Sequence, residues 1–106
     1  MTRELLITHA SQLVTLAGPP RPRVAEELGE LAIIGDGAVL SRDGVILAVG
    51  ATSEVEPRVR ADALRIDASG SVVMPGFVDA HTHPVFAGTR EDEYEMRASG
   101  MTYQQI

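Results

Sequence analysis

Pro75-Gly76-Phe77-Val78-Asp79-Ala80-His81-Thr82-His83-Pro84 decides how the 106-residue chain is read. After the proline turn, Phe77 to Thr82 reads as a short buried strand. Side chains at i, i+2 and i+4 of a strand share a face. Phe77, Asp79, His81 and His83 therefore point one way, and Val78, Ala80 and Thr82 the other. With a rise of roughly 3.3 Å per residue, the two histidines lie about 6.6 Å apart along the backbone. Metal–nitrogen bonds of about 2.0–2.1 Å then let both imidazoles reach one ion. Pro84 stops the strand, which leaves the pair at its carboxyl end. An apolar strand that turns polar on one face at its last residues is how a barrel of parallel strands delivers groups to its active face. Two histidines at this spacing also occur as ordinary polar residues, and alone they make half of a metal site. Asp79 is either a partner for a histidine ring nitrogen or a polar filler of a barrel interior.

The stretch that follows adds a candidate for anion recognition. Thr89-x-x-Asp92 can cap a helix from about Arg90 to Ala98, with Glu91, Asp92 and Glu93 in the first turn, where the helix dipole favours anions. Gly100 ends that helix in a left-handed conformation. The acidic run reads as solvated helix surface, and Tyr94 and Met96 as packing residues. Arg90 lies on a glycine-containing loop past His83, where a barrel places substrate contacts, and its planar fork matches a carboxylate. Thr102-x-x-Gln105 is the signature of another helix start, one residue before the chain stops at Ile106.

Val73-Met-Pro-Gly-Phe-Val-Asp-Ala-His-Thr-His83 resembles the first-strand signature of the metal-dependent amidohydrolase superfamily. Pro84 to Gly100, followed by Thr102-Tyr103, narrows the resemblance to the imidazolonepropionase family; the close match runs from Val72 to Ile106. This resemblance implies hydrolytic ring opening of 4-imidazolone-5-propanoate to N-formimidoyl-L-glutamate. It assigns His81 and His83 to one metal ion, zinc or iron, Arg90 to the substrate's propionate, and Tyr103 to the substrate's neighbourhood. It also implies a homodimeric full-length enzyme, whose remaining ligands and acid–base residues lie on later strands. The implied fold is part of a small β-sandwich, residues 1–71, plus the first strand of a TIM-type (β/α)8 barrel with its loop and helix, residues 72–106. Such a barrel needs roughly 250 residues, so the chain reads as an inactive amino-terminal fragment. Other amidohydrolases, of the deaminase or dihydroorotase type, would keep Gly76 to His83 without needing Arg90 or Tyr103. A non-catalytic β-module is the third reading.

Upstream the pattern is mainly β. Leu5–Ala10 and Gln12–Leu16 are strand candidates, and His9 is a solitary surface or strand-edge histidine. Gly18-Pro-Pro-Arg-Pro-Arg23 is a proline-rich loop whose arginines are solvated, and Val24–Leu31 is a helical turn or a loop. Asp43-Gly44 between the apolar runs Ala38–Leu40 and Val45–Val49 signals a hairpin. Thr52–Arg60 reads as a polar connector, and Ala63–Asp67 as a further strand turning into Val72–Met74. The net charge of -6 argues against nucleic acid. There is no cysteine, no apolar run that could span a membrane and no signal-peptide core, so a cytoplasmic location is expected. Open sheet edges in a partial sandwich predict self-association of the chain.

Overall fold

The computed structural model of the chain describes residues 3–85, 88 and 90–106. It divides into two compact units, Met1–Gly76 and Phe77–Ile106. Strands dominate the first unit and a helix the second, so the chain is mainly β with a little α. No helix among the described residues is long and apolar enough to cross a membrane.

The first unit is built around β1 (Glu4–Ala10), which lies inside a four-stranded sheet. It pairs antiparallel with β4 (Gly37–Arg42) on one edge and parallel with β6 (Leu64–Asp67) on the other. Strand β5 (Val45–Ala51) closes the far side of β4 through the expected hairpin. Asp43 and Gly44 have φ of 49° and 83°. Positive φ at both loop residues is the turn geometry that matches strand twist, and glycine adopts it without a Cβ clash.

Alternation along β1 sorts its residues onto two faces. Leu6 and Thr8 lie buried on one face, while Leu5 and Ile7 on the other are only partly covered. Leu6 packs with Ala38, Leu40, Ala48 and Val55 in the first apolar cluster. Leu6 and Leu40 are the largest fully enclosed side chains, each stabilising the unit by about 1.5–3 kcal/mol through apolar burial. Val55 comes from Thr52–Arg60, where a helical turn α1 (Thr52–Val55) and a 3-10 turn (Glu56–Arg58) replace the expected polar connector. The reason is local: Thr52 and Val55 sit three apart and bury one helical face, which reading the segment by polarity alone misses.

A second, three-stranded sheet holds β2 (Gln12–Val14) between β3 (Ile33–Ile34) and β7 (Val72–Val73). Its cluster joins Ala10, Leu13 and Ala68 with the half-buried Ile7, Ile34, Val39 and Val73. The arginines of the proline-rich loop, expected to be solvated, are exposed or half-exposed and also find partners. Arg21 donates to both carboxylate oxygens of Glu27 at 2.8 and 2.6 Å, and Arg23 donates to the carbonyls of Leu16, Ala17 and Glu30. Glu27 sits in a 3-10 turn (Ala25–Gly29), and Arg21 holds its carboxyl down at about 2.

Two polar staples complete the unit. The Glu4 side chain is 2% exposed and accepts hydrogen bonds from the Arg42 guanidinium at 2.8 Å and the Arg60 backbone N–H at 2.8 Å. Those donors hold its carboxyl below the usual carboxylate range, outweighing burial, which acts the other way. His9, read from sequence as solitary, has a partner: its Nδ1 lies 2.9 Å from Asp36 Oδ1, and its backbone N–H donates to Thr52 Oγ1 at 3.0 Å. Sequence distance concealed this, because the β1–β4 pairing slips between Ile7 and Ala10 and turns His9 outward at φ 57°.

In the second unit the expected strand is absent. No described residue from Phe77 to Val85 belongs to a strand, and Phe77 and Val78 are 94% and 93% exposed rather than buried. A parallel barrel strand draws its hydrogen bonds from neighbours on both sides, and no strand among the unit's described residues can supply them. Helix α2 (Glu91–Ala98) forms as expected, with Arg90 as the residue before its first turn. The cap assigned to Thr89 lies outside the described residues. Gly100 at φ 93° closes the helix, its N–H donating to the Arg97 carbonyl and the Met101 N–H to that of Met96. Thr102 and Gln105 form their capping box around a 3-10 turn (Tyr103–Gln105).

The Asp36 carboxylate, through its hydrogen bond, raises the His9 pKa above the ordinary imidazole value. A raised folded pKa contributes stability that is full below the unfolded pKa and fades as pH climbs through the folded one. Denaturation of the chain is expected to show greater stability at about pH 6 than at about pH 8.5, with the gap shrinking in His9→Asn. Asparagine tolerates the left-handed backbone, so an unchanged gap in that variant assigns the pH dependence to another group.

Candidate metal centre

His81 and His83 lie on the segment after Gly76, without a strand to align them. Asp79 Oδ1 accepts a hydrogen bond from the His81 backbone N–H at 3.0 Å, which curls the chain at Ala80 and His81. Both rings nevertheless leave on the same side. Their planes are 12° apart, their centroids 5.1 Å, and the two Nε2 atoms only 2.9 Å. Asp79 thus bears on the pair through the backbone, and no hydrogen bond joins its carboxylate to either ring.

That separation tests whether the pair suits a cation. Two bonds of about 2.0–2.1 Å that meet between a right angle and the tetrahedral angle hold their nitrogens about 2.9–3.4 Å apart. The observed spacing falls at the short end of this range, so the distance between the two nitrogens suits one ion. Without an ion one ring must donate Nε2–H to the other; as ligands both nitrogens offer lone pairs, so the mutual hydrogen bond gives way. The pair supplies two ligands. Among the described residues no three or more histidine or acidic side chains come together as a metal group.

Arg90 stands at the start of α2, where its Nε and Nη2 donate to Glu93 Oε1 and Oε2, both at 2.5 Å. The shared hydrogen bonds hold Glu93 below the usual carboxylate range and lift Arg90 above the usual guanidinium range. By sequence Glu93 reads as solvated helix surface; its place three residues after Arg90 is the signal for the pair. Tyr103 is largely exposed in the 3-10 turn after the helix.

No protein-family model matches the chain. Curated relatives do, and they are bacterial metabolic enzymes. An imidazolonepropionase of Solibacter usitatus is 56% identical over 94% of the chain, and one of Chloroflexus aggregans 52% identical over 97%. A third, from a Geobacillus species, is 50% identical over 98%. Over nearly its whole length the chain is similar to imidazolonepropionases, and it spans about a quarter of the length of these relatives. A solved chain from Bacillus thuringiensis is similar at a TM-score of 0.44 and 17% identity, over 80% of this chain and 96% of that one.

Two convergent imidazoles should take up one zinc ion per chain, weakly, because catalytic zinc sites use three protein ligands. Isothermal titration of the chain with zinc is expected to show saturable uptake that disappears in His81→Ala/His83→Ala. Equal heats from both proteins would remove the pair from consideration as ligands.

Proposed function

We propose that the chain is part of an imidazolonepropionase, a hydrolase that opens the cyclic amide of 4-imidazolone-5-propanoate in histidine breakdown. The observation that carries this reading is the convergence of His81 and His83 Nε2 at 2.9 Å, in a sequence 46–56% identical to imidazolonepropionases. Water adds across the amide C–N bond: a C–O bond forms, the C–N bond breaks, and the freed nitrogen takes a proton. The product is N-formimidoyl-L-glutamate. A bound zinc or iron ion supplies Lewis acidity toward the amide carbonyl and lowers the pKa of a water molecule.

In this reading His81 and His83 hold the ion, and Asp79 fixes the turn that aims them. Arg90 binds the propionate through its planar fork, and Tyr103 lines the substrate's surroundings. Residues 1–71 would be the amino-terminal part of a β-sandwich, and residues 72–106 the first strand, loop and helix of a (β/α)8 barrel. The run from Phe77 is exposed and bent at Ala80 and His81, and as a barrel strand it would need neighbours that this unit does not offer. A cytoplasmic, homodimeric enzyme completes the proposal.

In the full-length enzyme, losing the several kcal/mol that a Lewis acid contributes should cost about a thousandfold in turnover. His81→Ala/His83→Ala is expected to show that loss. Arg90→Ala should raise KM for the propanoate substrate about tenfold or more, the worth of a charged hydrogen bond. The isolated chain is expected to have no measurable activity; turnover by the pure chain that a chelator stops would overturn this. Exposed Val45, Ile46 and Leu47 on the edge strand β5 support self-association of the isolated chain. Size-exclusion chromatography should show a concentration-dependent shift, and a constant monomer would argue otherwise.

A further inference from the structure

The ion pair at the start of α2 has a geometry that bears on how Arg90 meets its substrate. A guanidinium has five N–H groups arranged along two usable edges. Glu93 occupies the side edge, formed by Nε and Nη2. The end edge, formed by Nη1 and the second N–H of Nη2, has no protein acceptor among the described residues. The two partners also differ in exposure: the Arg90 side chain is 64% exposed and that of Glu93 only 27%. The carboxylate is the sheltered member, and the guanidinium the exposed one.

We infer that Glu93 is a positioning residue for the substrate carboxylate: it clamps the side edge of Arg90 so that the end edge is presented, already oriented, to the propionate. The inference rests on the reading of Arg90 as the carboxylate contact. Arginine is long and has many rotamers, and a ligand that must immobilise it loses affinity. A clamp made within the first turn of a helix settles much of that ordering before substrate arrives. The negative charge of Glu93 opposes a second carboxylate on the same guanidinium. Arg90 is exposed, so water and salt weaken that opposition, while the geometric gain of a fixed fork remains. Two carboxylates on the two edges of one guanidinium use its planar donors fully.

The test uses the full-length enzyme and two compounds: 4-imidazolone-5-propanoate, and a 5-alkyl-4-imidazolone lacking the carboxylate. Glu93→Ala is expected to raise KM for the propanoate about tenfold, leave kcat within about twofold, and leave KM for the carboxylate-free compound unchanged. Glu93→Asp, which keeps the charge, should recover part of the loss. Arg90→Ala/Glu93→Ala should be no worse than Arg90→Ala, because a residue acting through another shows no separate penalty. Should Glu93→Ala disturb the helix, Glu93→Gln keeps the shape, removes the charge and is read the same way. A fall in KM on losing Glu93 would make it a competitor for the fork and overturn the inference. So would equal changes for both compounds, or penalties that add in the double variant. If Arg90→Ala leaves KM for the propanoate unchanged, the reading of Arg90 itself fails and this inference falls with it.

Discussion

Both hydrogen-bonding edges of β1 are occupied, and the first unit follows from that constraint. An interior strand must satisfy donors and acceptors along its whole length. The antiparallel partner β4 belongs to the β4–β5 hairpin, and the parallel partner β6 comes from further along the chain. Past His9 the path continues as β2 in the second sheet, and past Ala68 the path of β6 continues as β7 beside it. The two paths turn the corner together. The Ala68 N–H donates to the Thr8 carbonyl at 2.8 Å, and the Ser11 N–H to the Ser71 carbonyl at 2.9 Å, so the corner leaves these backbone groups paired.

Much of this was legible where the signal is local. Asp43-Gly44 names its own turn, the apolar stretch Leu5–Ala10 names a strand, and Gly100 marks a helix end. What escaped was nonlocal. No feature of His9 announces Asp36, and the polar run after Ala51 hides the Thr52–Val55 face that closes the first cluster. The partners of the loop arginines escaped for a similar reason. Their charge suggests solvent, whereas their reach across the loop to Glu27 and to carbonyl groups decides where they go.

The histidine pair separates two things that the sequence had joined. A buried strand was expected to make the rings converge, yet they converge on an exposed, bent segment held by the Asp79–His81 turn. Spacing by two suffices for two imidazoles to meet, whether the backbone is pleated or curled. Burial and a third ligand are a different matter, since those come from neighbouring chain rather than from the pair. Arg90 and Glu93 show the opposite case, in which three positions of a helix turn bring both partners within reach.

The parallel edge of β1 sets a timetable for synthesis. Leu5 leaves the ribosome early, but its ladder partner Leu64 is made much later, after the whole β4–β5 hairpin. At about 5–20 residues per second, one flank of the first strand stays bare for several seconds. The four-stranded sheet can therefore close only once Leu64 has emerged, and a ribosome stalled before Leu64 would hold a hairpin and one strand with nothing on its outer side.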